Sequence, residues 1–286
     1  MTATLLQLGP VAGERPAQAI VDGLGLGLAE GVVNGRPRVA AAMIASADGR
    51  ATVSGTSVGL GHPADRALLR ELRTAVDAIL VGTGTLRAEG YAHLLDDDQR
   101  ERRIARGLDP EPIVATIARR GDVPVEVPLF REPGARIQVY TEAEPPPVDG
   151  CAAEVMVHRF AAGGATPAAV LAHLAAERGV RSVLCEGGPT LLRALVAGAC
   201  VDDVLLTLAP LFAAGDGPAV LEGAPLDPPR RLRLSDLPLE RRQAHRVRER
   251  VRPGVDDPHD ERAAARRRER VVAEAERRRR RHVAAA

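Results

Sequence analysis

The chain contains no lysine: all 39 of its Lys/Arg cations are arginine. That excludes Schiff-base chemistry and the phosphate-binding lysine of a P-loop. Tryptophan is absent and aromatic residues make up only 2%, so a nucleic-acid platform of stacked aromatics is not expected. The three cysteines, Cys151, Cys185 and Cys200, stand far apart without a C-x-x-C pair. Neither a disulfide framework nor a metal site follows from them, and a reducing compartment, the cytoplasm, is the expected setting. No basic, apolar leader opens the sequence, and no apolar run is long enough for a membrane span.

What is present is enough for a sizeable core: 286 residues, 45% of them hydrophobic. The most informative stretch runs from Arg181 to Val196. Ser182 to Cys185 reads as a short buried strand, Glu186 stands at its end, and Gly187 and Gly188 follow. Pro189 suits the first turn of a helix because its missing N–H would have no partner there. Leu191, Leu192, Leu195 and Val196 then recur on one helical face. A strand, two glycines and a helix N-terminus leave backbone N–H groups available to phosphate, and glycine lets a ligand approach the main chain.

Elsewhere the same alternation recurs. Arg38 to Ser46, Asp77 to Gly82, Pro112 to Ala118, Ala135 to Thr141, Glu154 to Phe160 and Val201 to Phe212 read as strands. Pro63 to Ala75 and Thr166 to Arg178 read as helices, each opened by proline, with a short helix also expected within Pro16 to Leu28. Thr83-Gly84-Thr85 reads as a tight turn, and the charged segment Asp96 to Gly107 as a surface helix or a loop. The pattern predicts an α/β fold with a central, mostly parallel sheet flanked by helices. The net charge of +1 hides a basic end. Residues 241–286 form an Arg-rich tail with little apolar content, helical or disordered.

Four separated stretches then agree with one family, in its order. They are Ala45-Ser46-Ala47-Asp48-Gly49-Arg50, Leu72-Arg73 with Asp77 to Thr85, Glu186-Gly187-Gly188-Pro189-Thr190-Leu191, and Val201-Asp202-Asp203 with Leu208-Ala209-Pro210. The chain resembles the reductase domain of the bifunctional deaminase-reductase of riboflavin biosynthesis, over roughly residues 36–223. The resemblance implies a dihydrofolate reductase-like fold over residues 36–240, after an N-terminal extension of residues 1–35. It also implies NADPH as cofactor, a pyrimidine substrate, 5-amino-6-(5-phosphoribosylamino)uracil, whose ribose is reduced, and a homodimer. The paired H-x-E and P-C-x-x-C signature of the deaminase half is absent, which excludes zinc deamination.

Residue by residue, the resemblance assigns Glu186 to substrate contact and catalysis, with Arg73 and Ser57 as substrate-binding residues. Ile44, Gly59, Gly82, Thr83, Gly84, Thr85 and Glu89 fall at cofactor-binding positions, as do Gly187, Gly188, Pro189, Thr190 and Leu191. Gly59 stands where some relatives carry an aromatic. Asp96 stands where the family places an arginine for the substrate. Arg119-Arg120, after the strand at Ile113, offers a guanidinium to the cofactor's 2′-phosphate. Asp48 is read as ordering its turn, and His62 and His93 as loop residues. The competing expectation is a catalytically silent nucleotide-binding protein of the same fold.

Overall fold

A computed structural model describes residues 4–7, 13–26, 32–233 and 238–239. The chain divides into two compact units, residues 1–241 and 242–286; the second, with the expected Arg-rich tail, lies outside the described residues. In chain order the first elements are β1 (Thr4–Gln7), β2 (Gly13–Pro16), α1 (Ala17–Gly23), β3 (Val32–Val33), β4 (Arg36–Ser46) and α2 (Pro63–Ala75). Then come β5 (Ala78–Leu80), α3 (Thr83–Glu89), α4 (Asp97–Ala105), β6 (Ile113–Ile117) and β7 (Arg136–Thr141). The remainder is β8 (Glu154–Arg159), α5 (Pro167–Arg178), β9 (Ser182–Cys185), α6 (Pro189–Ala197), β10 (Asp203–Ala209) and β11 (Pro238–Leu239).

The main sheet has the order β10-β4-β9-β5-β6-β7-β8, and every neighbouring pair along it is parallel. The two-residue strand β3 pairs antiparallel with β4, and β1, β2 and β11 form a separate small sheet. Strand alternation sorts the core into two layers. Ala40, Ile79, Val114, Ile137 and Leu184 face α2 with Leu72 and Ala75. Val39, Ala41, Leu80, Ala115 and Val183 face α5 and α6 with Leu171, Leu174, Leu192 and Leu195.

Most expected elements stand within a residue or two of their places, and three differ. Thr83-Gly84-Thr85 is not a tight turn but the first turn of α3, with Gly82 as its N-cap residue and Gly90 in the left-handed conformation beyond its end. The apolar run Val201 to Phe212 yields the shorter β10, because pairing with β4 ends where Ala209 meets Ser46. The charged segment after Asp96 is a helix with one buried face rather than a loop. Asp96 closes a capping box with Gln99. Gln99 Nε2 donates to Arg70 O and Thr74 Oγ1. Arg103, 1% exposed, donates to the carbonyls of Arg73, Val76 and Asp109. The bonds to Arg73 O and Val76 O satisfy carbonyls at the C-terminal end of α2 that have no partner within the helix. Burial lowers the Arg103 pKa to about 10, against the opposing charges of Asp77, Glu111 and Asp109.

Candidate active site

The cleft opens between α2 and the C-terminal halves of β4 and β10, with the Gly187–Gly188 turn closing one side. Its volume is about 830 Å³, including the space open to solvent. Apolar walls come from Ile44, Leu68, Leu69, Leu72 and Leu205. Against them stand a few polar groups: Thr52, Ser57, Asp65, Thr85, Glu89, Tyr91, Glu186 and Thr207.

Glu186 follows the buried strand β9, and its side chain is 3% exposed. Arg73, in the last turn of α2, reaches it with both arms of the guanidinium. Nε donates to Oε1 at 2.7 Å and Nη2 to Oε2 at 2.6 Å. Tyr91 Oη donates to the same Oε2 at 2.5 Å, and the Arg73 guanidinium carbon lies 5.5 Å from the Tyr91 ring centroid. Burial by itself would lower the Arg73 pKa; the Glu186 charge and hydrogen bonds outweigh it, and the net shift is upward. Burial, followed by the Glu186 charge, pushes the Tyr91 hydroxyl well above its ordinary value. The result is a fixed anionic acceptor at the base of the cleft. Arg73 is itself anchored, since Arg103 holds its carbonyl.

Two further expected residues meet on the opposite wall: Ser57 N donates to Glu89 Oε1 at 2.7 Å. Thr85, Gly187, Gly188 and Pro189 also line the cleft. Gly187 has φ +87°, and a Cβ there would fall 2.8 Å from Met43 Sδ. A Cβ on Gly188 would fall 2.9 Å from Thr85 Oγ1. Neither position admits a side chain without displacing a cleft residue. The N-terminus of α6 has no side-chain cap, so its first N–H groups remain available to an anion.

The remaining expected residues sit apart from the cleft surface. Gly59 does not line it; the glycine packs on Val53, whose Cβ would lie 2.9 Å from a Cβ at that position. An aromatic cannot enter this loop as it stands. Gly82 lies one layer behind the cleft, donating its N–H to Gly187 O at 2.9 Å. Thr83 and Gly84 belong to the first turn of α3, and Thr190 and Leu191 to α6, outside the lining. Asp96 is consumed by its capping box and an ion pair with Arg70. Asp48 does order its turn, accepting from Ser46 Oγ and from the N–H groups of Ala213 and Ala214. His62 caps α2 through Ala64 N, and His93 pairs with Glu132. Arg119 Nε donates to Ala165 O at 3.1 Å and lies 3.8 Å from Glu142; Arg120 is exposed.

Tyr91, Asp65 and Thr207 were not expected. Thr207 carried a signal: it is the lone hydroxyl of its strand, set between Leu206 and Leu208. Asp65 also had one, as an acid in the first turn of a proline-started helix. Tyr91 had none, because nothing local links it to a glutamate 95 positions away. Cys185 is core; burial raises its thiol to about 12. Among the described residues no group of three or more His, Cys, Asp or Glu could hold a metal ion.

A parallel sheet with helices on both faces, and a carboxylate and glycine turn at the carboxyl end of a central strand, define a dihydrofolate reductase-like protein. The model of the RibD C-terminal domain matches residues 37–244, and the chain belongs to that family. It is similar to the 2,5-diamino-6-ribosylamino-4(3H)-pyrimidinone 5′-phosphate reductase of Archaeoglobus fulgidus, 26% identical over 66% of this chain and 87% of that protein. It is also similar to the riboflavin biosynthesis protein RibD of Mycobacterium tuberculosis, at 29% identity over 65% of this chain and 46% of the relative. Among solved structures, a pyrimidine reductase-like protein from Corynebacterium diphtheriae superposes with a TM-score of 0.56. The identity is 26%, covering 68% of this chain and 82% of that one.

Proposed function

We propose that the protein reduces the ribosyl group of a phosphoribosylaminopyrimidine, 5-amino-6-(5-phosphoribosylamino)uracil or its 2-amino counterpart, with NADPH as hydride donor. The observation that carries this reading is the Glu186 carboxylate, fixed by Arg73 and Tyr91 beside a glycine turn where a side chain would crowd Met43 or Thr85. Gly187, Gly188, Thr85 and the uncapped start of α6 would hold the cofactor's phosphates; when bound, it supplies a hydride to the ribose carbon. Glu186 orients the substrate's amino or hydroxyl hydrogens, and the leucines of α2 keep water from the reacting face. Arg119 is engaged by Ala165 O and Glu142, so Arg120 is the guanidinium left to meet a 2′-phosphate and favour NADPH over NADH.

A homodimer in the cytoplasm completes the reading. Leu206 and Leu208 on the edge strand β10, with Phe212 beyond it, are 47%, 61% and 71% exposed, an apolar patch suited to a second copy. The test is incubation with NADPH and each pyrimidine, followed by mass spectrometry. A product two hydrogens heavier, with one NADPH consumed per product, supports the reading. Cofactor binding without any product would favour the silent nucleotide-binding protein.

A further inference from the structure

We propose that Asp65 is the acid that protonates the substrate when hydride arrives, an inference that rests on the reductase reading of this cleft. Adding hydride to the carbon of a C=N or C=O group sends that bond's electron pair to nitrogen or oxygen. That atom must then take a proton. Among the polar groups lining the cleft, most are already committed. Glu186 accepts from Arg73 and Tyr91 through both oxygens. Tyr91 spends its hydroxyl proton on Glu186. Glu89 accepts from Ser57 N, and the hydroxyls of Thr52, Ser57, Thr85 and Thr207 are weak acids.

Asp65 differs from all of these. It stands in the first turn of α2, on the cleft wall, half-buried. No guanidinium forms an ion pair with it among the described residues; its one hydrogen bond comes from Thr207 Oγ1, which donates to Oδ1 at 2.6 Å. Thr207 lies opposite Ile44 in the register of β10 and β4. The acid is therefore braced across the cleft mouth, between helix and edge strand. Burial raises its pKa above the ordinary carboxylate range, and it does so against three opposing influences: the Thr207 bond, Arg66 and His62. The other titratable groups around the cleft are Glu186, Tyr91 and Glu89. Glu186 is paired with Arg73, and Glu89 accepts from Ser57 N.

The transfer balances simply. The Oδ2–H bond of Asp65 breaks, an N–H or O–H bond forms on the substrate, and Asp65 is left as a carboxylate. Thr207 Oγ1 and the helix N-terminus stabilise that anion, and solvent returns the proton through the open cleft. Asp65→Asn keeps the shape but holds no transferable proton. It should retain melting temperature and NADPH affinity, lower turnover by about a hundredfold or more, and abolish the fall in the wild-type rate that accompanies deprotonation of Asp65 as pH rises. Asp65→Glu should recover part of the rate. Independently of turnover, the Asp65 carboxyl carbon of the wild-type protein, assigned by NMR through its backbone, should titrate above the other exposed aspartates. A rate within about twofold of wild type, with the fall at rising pH unchanged, would overturn the proposal. So would an Asp65 signal titrating at an ordinary aspartate value. A wild type that reduces neither pyrimidine would overturn the reductase reading itself, and the proposal with it.

Discussion

Arg73 and Glu186, 113 positions apart in sequence, form a two-armed ion pair of 2.6 and 2.7 Å at the base of the cleft. The side chains are 15% and 3% exposed, so each charge depends on the other. Removing one partner of such a buried pair typically costs about 3–5 kcal/mol, because the remaining charge stays desolvated. Glu186→Gln should therefore lower both turnover, by more than about tenfold, and thermal stability. Arg73→Met should do the same. The double variant should be more stable than the sum of the two single losses predicts, as a thermal-denaturation cycle would show. Simple additivity would mean that the two side chains act separately.

Gly188 tests the cofactor side of the site. Its φ of −51° lies outside the left-handed region, so a Cβ there adds no left-handed strain. The new methyl would approach Thr85 Oγ1 to 2.9 Å and displace that hydroxyl into the cleft. Gly188→Ala should weaken NADPH binding about tenfold or more, roughly 1.4 kcal/mol, while the melting temperature changes little. Fluorescence titration reads the affinity directly; unchanged binding would remove Gly188 from the cofactor site.

At the far edge of the sheet, His158 stacks on Tyr140 with ring centroids 4.9 Å apart and bonds Gln138 Oε1 at 2.7 Å. Burial lowers its pKa to about 4, helped by His173 and Arg178. In the unfolded chain histidine takes its proton near pH 6.5. Between those values the unfolded state binds more protons, so the stability conferred by neutral His158 is present above pH 6.5 and lost as pH falls towards 4. Melting temperature against pH should show this decline, and His158→Gln should flatten it. Parallel curves for both proteins would show that another group is responsible.

The exposed patch on β10 predicts the assembly. Leu208→Arg with Phe212→Ser should convert a dimer into a monomer, read by light scattering, without loss of secondary structure. A wild type that runs as a monomer at all concentrations would exclude this interface.

Sequence pattern carried the scaffold well, because its signals are local. Pro63 and Pro167 start helices, Gly179 ends one, and the buried run Ser182 to Cys185 is the strand it resembles. The glycines at 187 and 188 and the carboxylate at 186 were equally visible. What stayed hidden depends on contacts between distant segments. Arg103 looks like one more surface arginine until α4 docks on α2 and offers it the carbonyls of Arg73 and Val76. Gly59 looked like a cofactor position by alignment, yet Val53 fills the space beside it. Asp65 and Thr207 become a pair only when β10 adds to the edge of β4 beside the first turn of α2.

The central claim, that this cleft reduces a phosphoribosylaminopyrimidine under the control of Glu186, is tested most directly by isotope transfer. NADPH carrying deuterium at the reactive C4 position is incubated with 5-amino-6-(5-phosphoribosylamino)uracil and either wild-type protein or Glu186→Gln, below the melting temperature of both. The account predicts deuterium on the former ribose C1′ of a ribityl product with wild type, and a rate lower by more than about tenfold with the variant. Product free of deuterium, or equal rates for the two proteins, would contradict it.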